Sequence, residues 1–141
     1  MENIDTNASK AIKTLQFGEI EIDSKHIFSF PYGMLGFEDL REFVLISDDE
    51  TVPFRWLISI EKPEIGFPVL SPWYIDLSYN PGRDFNIDRE VIFAVITLED
   101  ERGHMSANMK APVILDVMDH TGRQVILPTD KYLPNFIIPN K

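Results

Sequence analysis

The side chains that could do chemistry in this sequence are few and scattered. Its three histidines, His26, His104 and His120, are 78 and 16 residues apart, with no i, i+2 or i, i+4 pair to set two ring nitrogens on one metal ion. A hydrolytic metal site would need the fold to gather His104, His120 and an Asp, and both histidines lie in stretches that read as hairpin turns, where solvated polar residues are the rule. The acidic triplets Asp48-Asp49-Glu50 and Glu99-Asp100-Glu101 carry oxygen ligands but lack the alternating spacing and central Gly of a calcium loop. With no Cys in the chain, a thiolate nucleophile, a redox pair and a zinc ribbon are excluded. No Gly-x-Ser-x-Gly elbow singles out a serine. Gly33-Met34-Leu35-Gly36 lacks the Gly-Lys-Ser/Thr that would neutralise a phosphate. The expectation is a protein without catalytic residues, cofactor or metal.

The 141 residues carry 13 Lys plus Arg against 23 Asp plus Glu, a formal charge of −10. The excess sits in the middle: residues 14–100 hold 17 acids and six bases, while the two ends are near balance. Phosphate backbones are bound through Lys and Arg, so direct binding to nucleic acid or to an anionic membrane is not expected. A basic protein partner fits this balance better. The longest apolar run, Val91 to Ile96, is six residues, far short of the roughly 20 that a membrane span needs. Met1 to Lys13 has no apolar signal core, so a cytoplasmic location is expected.

Between the ends the hydrophobic period is two. Phe54, Trp56, Ile58 and Ile60 alternate with Arg55, Ser59 and Glu61, which predicts a strand with one wet face, Leu57 being the exception. Val91 to Ile96 is apolar at both parities and reads as a strand covered on both sides. Val113 to Met118 reads the same way apart from Asp116. The parity of Leu15 to Ile22 switches at Gly18, where a bulge or bend must absorb one residue. Further strands are predicted at Ile27–Phe30, Phe43–Ile46, Phe67–Leu70 and Arg123–Leu127, and Pro68 marks its strand as an edge or a corner. The only helical candidate is one turn at Glu38–Arg41. About eight or nine short strands at roughly ten-residue spacing predict an all-β fold, a small antiparallel β-barrel-like domain with one or two short helical turns. The predicted boundaries are a flexible tail at 1–13, the barrel at 14–127, and a Pro-rich tail at 128–141.

Two segments resist a purely structural reading. Phe30-Pro31-Tyr32-Gly33-Met34-Leu35-Gly36-Phe37 is unusually apolar for a loop. It either plugs a barrel end, with its glycines supplying positive φ, or presents Tyr32 and Phe37 as anchors for a partner. In Ser106-Ala107-Asn108-Met109-Lys110-Ala111-Pro112, the proline stiffens the backbone and removes a donor, leaving main-chain groups for another chain or for a turn closed by Asn108. An alternative use of the fold is a small-ligand or oligosaccharide-binding module, with Trp56 or Trp73 as a stacking platform.

Five strings occur in order along residues 14 to 132: Phe17-Gly18-Glu19-Ile20; Phe30 through Phe37 followed by Phe43-Val44-Leu45; Phe67 to Pro72; Asn108-Met109-Lys110-Ala111-Pro112-Val113; and Gln124-Val125-Ile126-Leu127. In these the chain resembles the FliW-type flagellar assembly factors of bacteria. The resemblance implies a non-enzymatic regulator that binds the carbon storage regulator CsrA, a small dimeric RNA-binding protein that blocks translation of flagellin messenger RNA. It also implies binding to flagellin, so that retained flagellin occupies the factor and exported flagellin frees it to capture CsrA. The expected partner-binding residues are Phe30, Tyr32, Gly33, Gly36 and Phe37 in one region, and Asn108, Lys110 and Pro112 in the other. A monomer is expected.

Overall fold

The computed structural model describes residues 10–99 and 102–139. Its ten strands are β1 (Lys10–Thr14), β2 (Gly18–Ile22), β3 (Ile27–Ser29), β4 (Glu42–Ser47), β5 (Arg55–Ser59), β6 (Gly66–Leu70), β7 (Glu90–Thr97), β8 (Ser106–Asp116), β9 (Thr121–Gln124) and β10 (Phe136–Ile137). Strands β3 to β9 close into a seven-stranded barrel: the order runs β8-β7-β6-β5-β4-β3-β9, and β9 returns to pair with β8. Closure removes the exposed edges that an open sheet of these strands would carry. Every barrel pairing is antiparallel except β3 with β9, where Ser29 faces Thr121 in parallel register. The expected all-β barrel is observed. Helical structure among the described residues is confined to single 3-10 turns at Ser24–His26 and Pro72–Tyr74. Glu38–Arg41, expected to be helical, instead continues a run of hydrogen-bonded turns.

The side-chain period of two sorts this barrel into an inside and an outside. Phe43, Leu57, Val69, Phe93, Val113 and Leu115, all at odd positions, fill the interior together with Phe28 and Phe30. The even positions of β4 to β7 point outward, yet many of them are apolar too, and the register shift in β8 brings the odd-numbered Met109 to the same side. Val44, Trp56 and Ile58 lie under the β1–β2 hairpin, which contributes Ile12 and Ile22. Leu70, Ala94, Ile96 and Met109 lie under the β6–β7 connection and the C-terminal segment, which contribute Tyr79, Leu127 and Tyr132. The predicted wet face of the Phe54–Ile60 strand is therefore absent. Trp56, Leu57, Ile58 and Ser59 are all buried, because a hairpin distant from that strand in sequence covers its outer face.

Both tail boundaries shift for the same reason. Lys10–Thr14 is a strand paired across a three-residue turn with Gly18–Ile22, and Gly18 takes φ +68°, so the bend expected there is a hairpin turn. Residues 1–9, the rest of the expected N-terminal tail, lie outside the described residues. At the other end Tyr132 is buried, and β10 pairs with Ser106 and Ala107 of β8. Pro68 sits on an internal strand, not an edge. Pairing of β6 with β7 begins only at Val69, so the missing N–H falls where that ladder has not started.

Candidate functional site

The aromatic loop after β3 is anchored at its base. Phe30 donates its backbone N–H to the Arg41 carbonyl at 2.7 Å, tying the loop's two ends together. Its ring is fully buried, edge-on to Phe43 at 5.0 Å, and lies across the α-carbon of Gly122, where a Cβ would meet it at 2.3 Å. From that plug the chain turns sharply. Gly33 adopts φ +68°, and a Cβ there would stand 2.6 Å from the Glu38 α-carbon, so glycine is required on both counts. Phe37 N–H donates to the Met34 carbonyl at 2.7 Å, and Gly36 N–H donates to the Glu38 carboxylate at 3.0 Å. That second bond holds the Glu38 carboxyl below its usual range, with a further contribution from the residue's own N–H.

This scaffold pushes three side chains into solvent: Tyr32 is 83% exposed, Leu35 47% and Phe37 37%. Phe37 rests edge-on against Phe67 at 5.1 Å, so its ring is oriented while one side remains open. Acids cluster next to the patch in the chain, with Arg41 among them. Glu38, Asp39 and Glu42 follow it in the chain, and Glu61 reaches over to accept from the Arg41 N–H at 2.9 Å. The acid-rich stretch 38–50 does not act as one surface, however. Strand β4 divides it, and its six residues carry Asp48, Asp49 and Glu50 about 20 Å away to the opposite barrel end.

The second expected segment lies on β8 at an irregularity in the ladder. Phe93 faces Val113 but Val95 faces Asn108, so Met109 to Pro112 bulge out of register. The freed carbonyls are taken within the chain: Met109 by the Tyr79 hydroxyl at 2.8 Å, Lys110 by the Leu127 N–H, and Pro112 by the Val125 N–H. Burial pushes the Tyr79 hydroxyl far above the usual tyrosine range, which keeps it a donor. Asn108 closes the turn, accepting from the Lys110 and Ala111 N–H groups. Lys110 Nζ donates to the Thr129 carbonyl at 2.6 Å and pins the C-terminal segment. Pro112 is buried. The backbone at Asn108–Pro112 is thus bonded within the molecule, and of the two alternatives expected for this segment the structure shows the turn closed by Asn108.

Gln124 joins the two segments. Its Oε1 accepts the Leu35 N–H at 2.9 Å, and its Nε2 donates to the Ala111 carbonyl at 2.9 Å. Of the eight expected residues, Tyr32, Gly36 and Phe37 face outward, whereas Phe30 and Gly33 are scaffold. Asn108, Lys110 and Pro112 form the supporting bulge. Leu35 and Gln124 were not expected. Nothing at short range in the sequence could have found Gln124, whose partner at Leu35 is 89 residues away.

The family model described as "FliW protein" matches residues 10–136. The chain belongs to the FliW family. It is 35% identical over 136 residues to the flagellar assembly factor FliW of Thermoanaerobacter pseudethanolicus, covering 86% of this chain and 88% of that relative. It is 37% identical over 125 residues to that of Bdellovibrio bacteriovorus, covering 82% and 71%. A crystal structure of the flagellar assembly factor FliW superposes with a TM-score of 0.83 at 28% identity, covering 94% of this chain and 99% of that one. Among the described residues no three His, Asp or Glu side chains are grouped to hold a metal ion. Nor is any helix long and apolar enough to cross a membrane. Trp56, one of the two candidate stacking platforms, is buried edge-on to Phe17 at 5.6 Å.

Proposed function

We propose that this FliW-family chain is a protein-binding regulator of flagellum assembly that holds the RNA-binding regulator CsrA and, alternatively, flagellin. It makes and breaks no bond. Retained flagellin fills the protein and leaves CsrA free to repress, whereas export of flagellin vacates it. A coupling of about 2 kcal/mol between the two bindings is enough to shift occupancy some thirtyfold. The reading places the protein in the cytoplasm, as a monomer, without RNA or membrane contacts of its own.

The observation that supports it is the exposed set Tyr32, Leu35 and Phe37 on a loop held by internal hydrogen bonds and flanked by carboxylates. Apolar anchors supply the affinity of such a contact, and the acidic flank favours approach of a basic partner such as an RNA-binding protein. Titration calorimetry with CsrA and with flagellin, using Tyr32→Ala and Phe37→Ala, tests it. The expected result is a loss of at least tenfold in affinity for one partner with the melting temperature of Tyr32→Ala unchanged. Undiminished binding of both partners by both variants would remove the loop from the interface.

A further inference from the structure

At the barrel end opposite the aromatic loop, a groove of about 540 Å³ runs between the start of β5, the N-terminal part of β7 and the β6–β7 connection. Its size is that of a site for a few side chains. The walls are mostly apolar, and much of that surface is exposed: Ile87 is 80% exposed, Tyr74 69% and Val91 40%. On a soluble surface, apolar side chains gathered around one concavity call for an occupant.

The charges of the groove say which occupant. On a chain of formal charge −10 the lining contains one acid and one base, Glu90 and Arg55. Glu90 is already matched, accepting from Arg123 Nη1 at 2.7 Å and from the Asn86 N–H at 2.7 Å. Arg55 is exposed and stacks over the Phe93 ring, 5.9 Å from its centroid. Among the described residues no carboxylate pairs with it, so the guanidinium edge keeps its donors for a ligand. Glu21, Asp23 and Asp48 line the neighbouring concavity that shares Arg55, yet none of them forms an ion pair with it. They do disfavour a strongly acidic ligand. Beyond Arg55 and Glu90, the side-chain hydroxyls in the lining are those of Ser71 and Tyr74, few for a sugar ring that carries several hydroxyls.

We infer that this groove is a second docking site, distinct from the aromatic loop, for an apolar peptide segment of a protein partner carrying one carboxylate, which Arg55 receives while Ile87, Tyr74 and Val91 hold the apolar side chains. The site stands or falls independently of the CsrA and flagellin reading.

The test is a methyl and amide NMR titration of the full chain with the probe acetyl-Leu-Leu-Glu-Phe-Leu-amide and with its Gln counterpart. Shifts are expected at the Ile87 and Val91 methyls and the Trp73 indole N–H, with the Glu probe binding about fivefold tighter than the Gln probe. Arg55→Met should abolish that preference, and Ile87→Ser should weaken both probes. Ile126→Ser, which alters an exposed residue outside the groove, should change neither. Equal binding of the two probes, shifts elsewhere on the barrel, or no shifts at millimolar peptide would overturn the assignment. So would concentration-dependent shifts of the same methyls without peptide, which would give the groove to a second copy of the chain.

Discussion

If Gln124 is what couples the aromatic loop to the β8 bulge, two near-isosteric substitutions should separate its two bonds. Methionine at this position keeps the length of the side chain but removes both. The Leu35 N–H is exposed and water replaces its lost acceptor, so that bond contributes little to stability. The Ala111 carbonyl lies in the partly buried bulge, and losing the Nε2 donor there leaves it less well satisfied. Together the two losses amount to about 1–2 kcal/mol. For a domain of this size that is about 3–8 °C in melting temperature. Glutamate at the same position behaves differently, because its carboxylate still accepts from Leu35 but has no donor for Ala111. Thermal unfolding combined with amide exchange of Leu35 distinguishes the cases. Gln124→Met should lower the melting temperature and speed Leu35 exchange by up to about tenfold. Gln124→Glu should lower the melting temperature while leaving Leu35 protected. Unchanged Leu35 exchange in Gln124→Met would refute the coupling, since the loop would then be held by its own turns alone.

Two further predictions concern the frame around the site. Gly122→Ala places a Cβ 2.3 Å from a Phe30 ring that has no room to move, and overpacking of this kind costs about 1–3 kcal/mol. Gly36→Ala meets nothing within 4 Å at φ +86° and should cost only the left-handed strain of about 1 kcal/mol. Equal melting temperatures for the two variants would contradict the ring-on-glycine packing. The second prediction is acid sensitivity. The Asp116 carboxyl is held below its ordinary value of 3.8, chiefly by the Asp119 N–H and also by Arg89. At Glu90 burial pushes upward, but the Arg123 guanidinium and the Asn86 N–H outweigh it, leaving the carboxyl below 4.5. A depressed carboxyl binds fewer protons folded than unfolded, so its stabilisation is complete above the ordinary value and lost as pH falls through the folded one. Melting temperature should therefore drop below about pH 4.5, with a shallower slope in Glu90→Gln. Identical slopes would mean that the Glu90–Arg123 pair is not linked to folding.

How much of this was legible in the sequence depended on the range of the cause. The closed barrel and most strands followed from alternation and turn chemistry, which act over a few residues. Strand β7 is covered on both faces from Ile92 to Ile96, whereas Val91, also expected to be covered, is 40% exposed at the strand's start. Strand β5 misled because alternation marks which residues share a face without saying which face is inside. Trp56 and Ile58, the conspicuous pair, lie outside the barrel under the hairpin, and the apparent exception Leu57 is the interior residue. Pro112 likewise signalled an interrupted ladder correctly. It could not signal that Tyr79, Leu127 and Val125 would come from elsewhere to take the freed carbonyls.

These satisfied carbonyls bear on how the exposed loop can work. A loop free to move would have to be ordered on binding, and that cost would reduce the affinity of each partner. Here Phe30 is sealed in the core, Gly33 is locked against Glu38, and Gln124 ties Leu35 to a bulge that is itself bonded on several sides. Tyr32, Leu35 and Phe37 are thus presented in one arrangement before any partner arrives. Under the proposed function, a preformed patch spares the partner that docks on it this ordering cost. The irregular ladder at Asn108–Pro112 then has a role that does not require touching a partner. By bulging, it offers the Ala111 carbonyl to Gln124, and so fixes from behind the loop that faces outward.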